Sequence, residues 1–159
     1  MSDTLKLIQY SQPAELVAQL NSGQLMSVDS RSRCGLIVYK RYYAEFAGPG
    51  AAVGGFFDIG SQRVVPVGNV ALAHPEKHED RSSAYTIRRH WIRLAEQMTE
   101  NPVPLQRAKM LLTQFEHYFG LETVNQIPDE ALALIVGVLP QTIRMVRRPL
   151  QKKKELVAV

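Results

Sequence analysis

Residues 129–148, DEALALIVGVLPQTIRMVRR, constrain this chain more than any other stretch. Their spacing predicts two short helices joined by a tight turn, a helix-turn-helix whose helices cross at roughly 90–120°. A close crossing needs a small residue on the first helix, and Ala133 stands there. The turn favours glycine because its backbone often takes positive φ, and Gly137 follows four residues later. Leu132, Val136, Val138, Ile143 and Val146 fall at the offsets that fill the core beneath such a pair. Leu139 occupies the place where Ser or Thr would cap the second helix, and Pro140 partly compensates as a first helical residue.

The other faces of the second helix carry Gln141, Thr142, Arg144, Arg147 and Arg148, side chains of the types that reach base edges and phosphates. Lys152, Lys153 and Lys154 follow in the tail and read as either phosphate contacts or a solvated end. The alternative is a helical hairpin with no DNA role, buried or docked on another protein.

Charge is distributed in keeping with the motif. Of 159 residues, the first 80 hold seven Lys/Arg and eight Asp/Glu, whereas residues 81–159 hold twelve and seven. The basic half is therefore the half with the motif, which suggests a polyanionic partner. A composition of 45% hydrophobic and 21% charged residues is globular, not disordered. The lone Cys34 excludes an internal disulfide and fits a reducing compartment. The N-terminus lacks the pattern of a signal peptide. The longest apolar run, Ala131–Leu139, is far short of the ~20 residues a membrane span needs. A soluble, cytoplasmic protein with no membrane partner is expected.

Upstream, helical periodicity predicts a helix from Ser82 or Ser83 to about Met98, with Ile87, Trp91, Leu94, Ala95 and Met98 on one face and Arg88, Arg89 and Arg93 opposite. A second helix is predicted from Pro104 to Tyr118, stopped by Gly120. Pro128 opens the first helix of the motif, with Asp129 and Glu130 at its positive end. Pro149 closes the second, and Glu155–Val159 reads as one short strand. In the N-terminal half, Ser11–Leu20 reads as a helix and Arg63–Ala73 as one strand with an edge or bulge at Pro66 and Gly68. Cys34–Phe46 fits helix and strand equally, and Gly48–Gly55 reads as a mobile break.

The order of residues 83–148 resembles the C-terminal half of the cyclic-AMP receptor protein family of bacterial regulators. Arg107-Ala108 and Leu111-Leu112 match the helix that opens that DNA-binding domain, and Asp129–Arg148 match its helix-turn-helix. The resemblance implies a long dimerisation helix ahead of the DNA-binding unit. It does not extend to cyclic-nucleotide binding, because the upstream stretch is short for that family's barrel and shows no phosphate cassette. The family's β-hairpin wing would have only residues 149–159 to form it, so it is reduced or absent here.

Other chemistry is weakly signalled. Gly48–Gly55 misses the dinucleotide spacing and lacks a P-loop lysine. His74 and His78 flank Pro75 in a polar segment and read as solvated rather than metal-binding. Arg31 and Arg33 near Cys34 leave a lowered thiol pKa open, as in a redox sensor. Tyr39, Tyr42, Tyr43 and Phe46 read as core before ligand pocket. No catalytic residue, cofactor or metal site is expected, and an effector remains unassigned.

These readings define an α+β chain: a mixed sensing or interaction region at 1–80, a linking and dimerisation helix at 81–100, and a mainly helical DNA-binding domain at 101–159. The expected function is that of a sequence-specific transcriptional regulator. It would bind double-stranded DNA as a homodimer, with Trp91 and Leu94 in the dimer seam. The alternative is a module whose helix-turn-helix docks another protein.

Overall fold

The computed structural model describes residues 7–9 and 12–147. Seven strands precede or alternate with one helix in the first half: β1 Ile8–Gln9, α1 Pro13–Asn21, β2 Leu25–Val28, β3 Gly35–Tyr39, β4 Ala44–Ala47, β5 Ala52–Gly54, β6 Val64–Val67 and β7 Ala71–Ala73. Five helices follow: α2 His78–Thr99, α3 Pro104–Phe119, α4 Leu121–Asn125, α5 Asp129–Val136 and α6 Pro140–Val146. The class is α+β, as expected. The strands form two antiparallel sheets, ordered β1-β7-β2-β5 and β4-β3-β6.

The three-stranded sheet is the middle layer of the molecule. Along β3, Leu36 and Val38 join a core with Met26, Val28, Val53 and Leu72 of the other sheet and Leu16 and Leu20 of α1. Ile37, between them, joins a second core with Phe46, Val65, Val67 and residues of α2, α3, α5 and α6. A strand covered on both faces reads as a continuous apolar run instead of an alternating one. That is why Gly-Leu-Ile-Val-Tyr carried no clear period: Cys34–Phe46 is a β-hairpin, not a helix. The second core also runs across the expected boundary at residue 80.

Phe46 is the hinge pin of that second core. Its ring lies 4.7 Å from Phe115, 5.5 Å from Phe119 and 5.3 Å from Trp91, measured between centroids. Helix α3 supplies Ala108, Leu111, Leu112, Phe115 and Phe119 at helical spacing to receive it. Edge-to-face and tilted aromatic pairs of this kind add to simple area burial.

Several local expectations shift. Helix α2 begins at His78, four residues before the expected serine cap, with Glu79 and Asp80 in its first turn complementing the helix dipole. The stretch 63–73 is two strands, because Gly68 turns the chain at φ 72° with an added Cβ only 2.8 Å from the Arg33 carbonyl oxygen. Pro66 does lie on an edge strand. The Tyr39 N–H to Arg63 carbonyl bond of 3.1 Å sets the alternation, so the backbone of Pro66 points away from β3 and no ladder bond is lost. The glycine-rich 48–55 contains β5 instead of a bare break. The short link after α3 contains α4.

Trp91 does not lie on a free seam. Its indole packs against Phe46 and Tyr118 of its own chain, and a Cβ on Gly48 would come within 2.3 Å of it. Leu94 is half-buried and lines a small cavity between α2 and α3 with Met98, Leu111 and Phe115. Ile87, Trp91, Ala95 and Met98 of the α2 stripe thus pack at least partly on the chain's own sheets and helices.

Candidate nucleic-acid interface

Helices α5 and α6 are two short helices joined by a turn at Gly137–Leu139. Gly137 ends α5 in the left-handed region at φ 66°, ψ 45°. Its N–H and that of Val138 both return to the Ala133 carbonyl, the bonding of a glycine-terminated helix. Ala133 is buried, Leu132, Val136 and Ile143 are fully buried, and Val138 and Val146 pack against the same core. Leu139 provides no side-chain cap, and Pro140 stands in the first turn of α6.

Two arginines outside the apolar pattern hold the motif in place. Arg107 of α3 donates from Nε to the Val136 carbonyl at 3.0 Å and from Nη2 to the Gly137 carbonyl at 3.1 Å. These are the carbonyls that a helix end leaves without partners. Its Nη1 reaches the Asn101 carbonyl at 2.7 Å. Arg147 donates from Nε to Asp129 Oδ1 at 2.6 Å, from Nη1 to the Val124 carbonyl at 3.0 Å, and from Nη2 to the Ile127 carbonyl. Three of its N–H groups are therefore committed inside the chain, and its side chain is only 16% exposed. Tyr39, Arg63 and Glu130 join the middle sheet to α5: Arg63 pairs with Glu130 and stacks on the Tyr39 ring at 5.0 Å.

The expected recognition residues separate accordingly. Gln141 and Arg144 are exposed and Thr142 is half-buried. Arg144 is 70% exposed and, among the described residues, makes one peripheral polar contact, 3.3 Å from its Nε to Asp129 Oδ2. Arg147, the extended residue that follows α6, is a strut turned inward. Leu139, just before α6, and Met145, near its end, are 65% and 75% exposed. Arg148, Lys152, Lys153 and Lys154 lie outside the described residues, as do the expected final strand and the place of any wing.

A second constellation escaped the sequence reading. Arg88, expected on a solvated face, has a side chain only 3% exposed. Its Nη1 donates to Asp58 Oδ2 and to the Ala52 carbonyl, each at 3.0 Å, and its Nη2 to Glu45 Oε1 at 2.9 Å and Asp58 Oδ1 at 3.1 Å. Lys40 Nζ reaches Asp58 Oδ1 at 2.9 Å, and the Gly54 N–H donates to Asp58 Oδ2 at 2.7 Å. Burial pushes the Asp58 carboxyl up, but the Arg88 charge and the hydrogen bonds from Arg88 and Lys40 outweigh it and hold the group below its ordinary range. The signal was present in spacing: Arg88 stands four residues after Ala84 and three before Trp91, on the buried stripe itself.

The remaining candidates resolve plainly. Cys34 is fully buried, and burial pushes its thiol up, so neighbouring arginines do not activate it. His74 Nδ1 lies 3.3 Å from Gln24 Nε2, while His78 opens α2. Among the described residues no group of His, Cys, Asp and Glu is placed to hold a metal. No helix among them is long and apolar enough to cross a membrane. Of the four aromatics, Phe46 is core, Tyr39 serves the α5 junction, and Tyr42 and Tyr43 are exposed. No family model, curated protein or solved structure matches this chain.

Proposed function

We propose that the chain is a sequence-specific DNA-binding regulator that acts as a dimer through the α5–α6 helix-turn-helix. The reading is supported above all by α6. It is packed through Ile143, with Arg107 holding the turn before it and Arg147 anchoring its end, while Gln141 and Arg144 are left exposed. In this motif the start of the second helix reaches base edges in the major groove. Gln141, Thr142 and Arg144 take that role here, and Arg148 and Lys152–Lys154 take the phosphate role. Two copies would place two such helices about one helical turn of DNA apart. Trp91 packs on Phe46 and Tyr118 of its own chain, which leaves Leu94 as the part of the expected α2 seam open to a second copy. The effector, if one exists, is left open, and the reaction is binding, not catalysis.

The test is selection of bound duplexes from a random pool, followed by a salt titration on the best site. Recovery of a palindrome and a steep loss of affinity with salt are the expected results. A flat, weak response on every duplex would refute the reading. A second reading rests on Leu139 and Met145, two large apolar side chains exposed beside Arg144. In it, α6 docks another protein, and Leu139→Ser with Met145→Ser would abolish that docking while leaving duplex affinity negligible throughout.

A further inference from the structure

A groove follows α2 from the sheet end of the molecule to the helix-turn-helix. At its upper end it is lined by Lys40, Phe57, Arg81, Tyr85 and Arg89. At its lower end it is lined by Tyr42, Glu96, Leu134, Gly137 and Val138. Tyr43, Glu45 and Ile92 line both halves and form the boundary that they share.

The walls are held in place before any partner arrives. Phe57 sits next to Asp58, whose carboxylate is tied to Arg88, Lys40 and the Gly54 N–H. The Phe57 ring meets Tyr85 edge-on at 5.5 Å and carries the Arg88 guanidinium at 5.0 Å. Aromatic side chains fixed in this way offer contact area at little ordering cost. Tyr43 is more than half exposed and stands over the middle of the groove.

Charge along the groove is graded. Lys40 and Arg88 are answered by Asp58 and Glu45. Arg81 spends its Nη1 on the Pro75 and Glu76 carbonyls, and neither it nor Arg89 makes an ion pair among the described residues. The upper end is therefore positive and the lower end apolar, with Glu45 and Glu96 against it. A nucleic-acid strand along the whole groove would meet both carboxylates. Of the groove's own carboxylates, a second copy laid antiparallel has only Glu96 to set against Arg81 and Arg89, since Glu45 is held by Arg88 and Lys40. The lysine-rich tail of this chain has the wrong sign for the upper end.

We propose that this groove docks an acidic, apolar-bearing peptide segment of a partner protein. Its carboxylates lie against Arg81 and Arg89, and its apolar side chains lie against Tyr43, Ile92 and Leu134. Such a segment would end beside the turn at Gly137, leaving the outer surface of α6 free. The proposal does not depend on DNA binding.

Short random peptides displayed on phage and selected on the full chain provide the test. Enrichment of peptides that combine clustered Asp or Glu with Leu, Ile or Phe is expected. A synthetic copy of the most enriched peptide should lose affinity about tenfold or more on Arg89→Glu and on Tyr43→Ser. Circular dichroism of both variants should match the parent, since both side chains are exposed. Exchanging the peptide's carboxylates for lysines should restore binding to Arg89→Glu. Failure to enrich any peptide, or enriched peptides that ignore both variants, would overturn the proposal. So would a single-stranded oligonucleotide that binds more tightly than any peptide and is lost on Arg89→Glu. A dimer that Arg89→Glu dissociates in sedimentation would assign the groove to a second copy instead.

Discussion

Arg88 and Arg144 each pair with an aspartate, with opposite consequences. Under α2, Arg88 and Asp58 are sealed from water and joined by Glu45, Lys40 and two backbone groups. On α6, Arg144 touches Asp129 from a position mostly in solvent. Removing one member of a buried pair strands its partner in a medium that cannot solvate it, whereas an exposed partner simply turns to water. The buried set fixes where α2 lies on the sheet. The exposed pair fixes little and leaves a guanidinium available to a ligand. Arg147, one turn along, falls between the two: partly exposed, but with three donors on Asp129 and two carbonyls.

The sharpest way to break this contrast is Asp58→Ala. It leaves Arg88 buried without its main partner and should cost about 3–5 kcal/mol in urea unfolding. Arg88→Met together with Asp58→Leu should cost clearly less, since no charge is then stranded. A double variant as unstable as Asp58→Ala would mean that shape, not charge, governs the site.

The next effect is steric. Ala133→Leu should overpack the α5–α6 crossing and lower stability by roughly 1–3 kcal/mol in thermal melts. An unchanged melt would show that the crossing tolerates bulk, against the burial of Ala133.

Acid should separate the two regions. The Asp58 carboxyl is held below its ordinary value, and so is that of Asp29, where burial is outweighed by hydrogen bonds from Ser32 and Arg31. A depressed carboxylate contributes stability that is fully present above the unfolded value near 3.8 and is lost as pH falls below it through the folded value. Unfolding free energy should therefore drop at acid pH. Asp58→Asn should flatten that drop, whereas Arg144→Ala should leave it unchanged.

The smallest change in stability belongs to Arg144→Ala, within about 0.5 kcal/mol, as for surface substitutions generally. On the selected duplex the same variant should cost about 1–3 kcal/mol and relax preference at one base position. Arg147→Ala should show the reverse balance, with a larger loss of stability. Lys153→Ala should weaken all duplexes alike and lower the salt slope by about 1. Equal losses from Arg144→Ala on specific and random duplex would make it a phosphate contact only.

The amino-acid sequence by itself determined the two short helices α5 and α6 and the turn between them. Their requirements are local: a small residue at 133, a left-handed turn at 137, and apolar side chains at helical offsets a few residues apart. Pro104 and Gly120 bounded α3 for the same reason, since caps and stops act within one turn. Tertiary structure alone decided the rest. The middle sheet has two buried faces, so its strands lost the alternation that would have declared them. The stripe on α2 was legible, but that its Trp91 meets the chain's own Phe46 depended on a contact 45 residues apart. Arg88 shows the limit most clearly. An arginine on a helix is solvated by default, and it became a buried anchor only because the fold brought Asp58 and Glu45 to it from distant loops and strands.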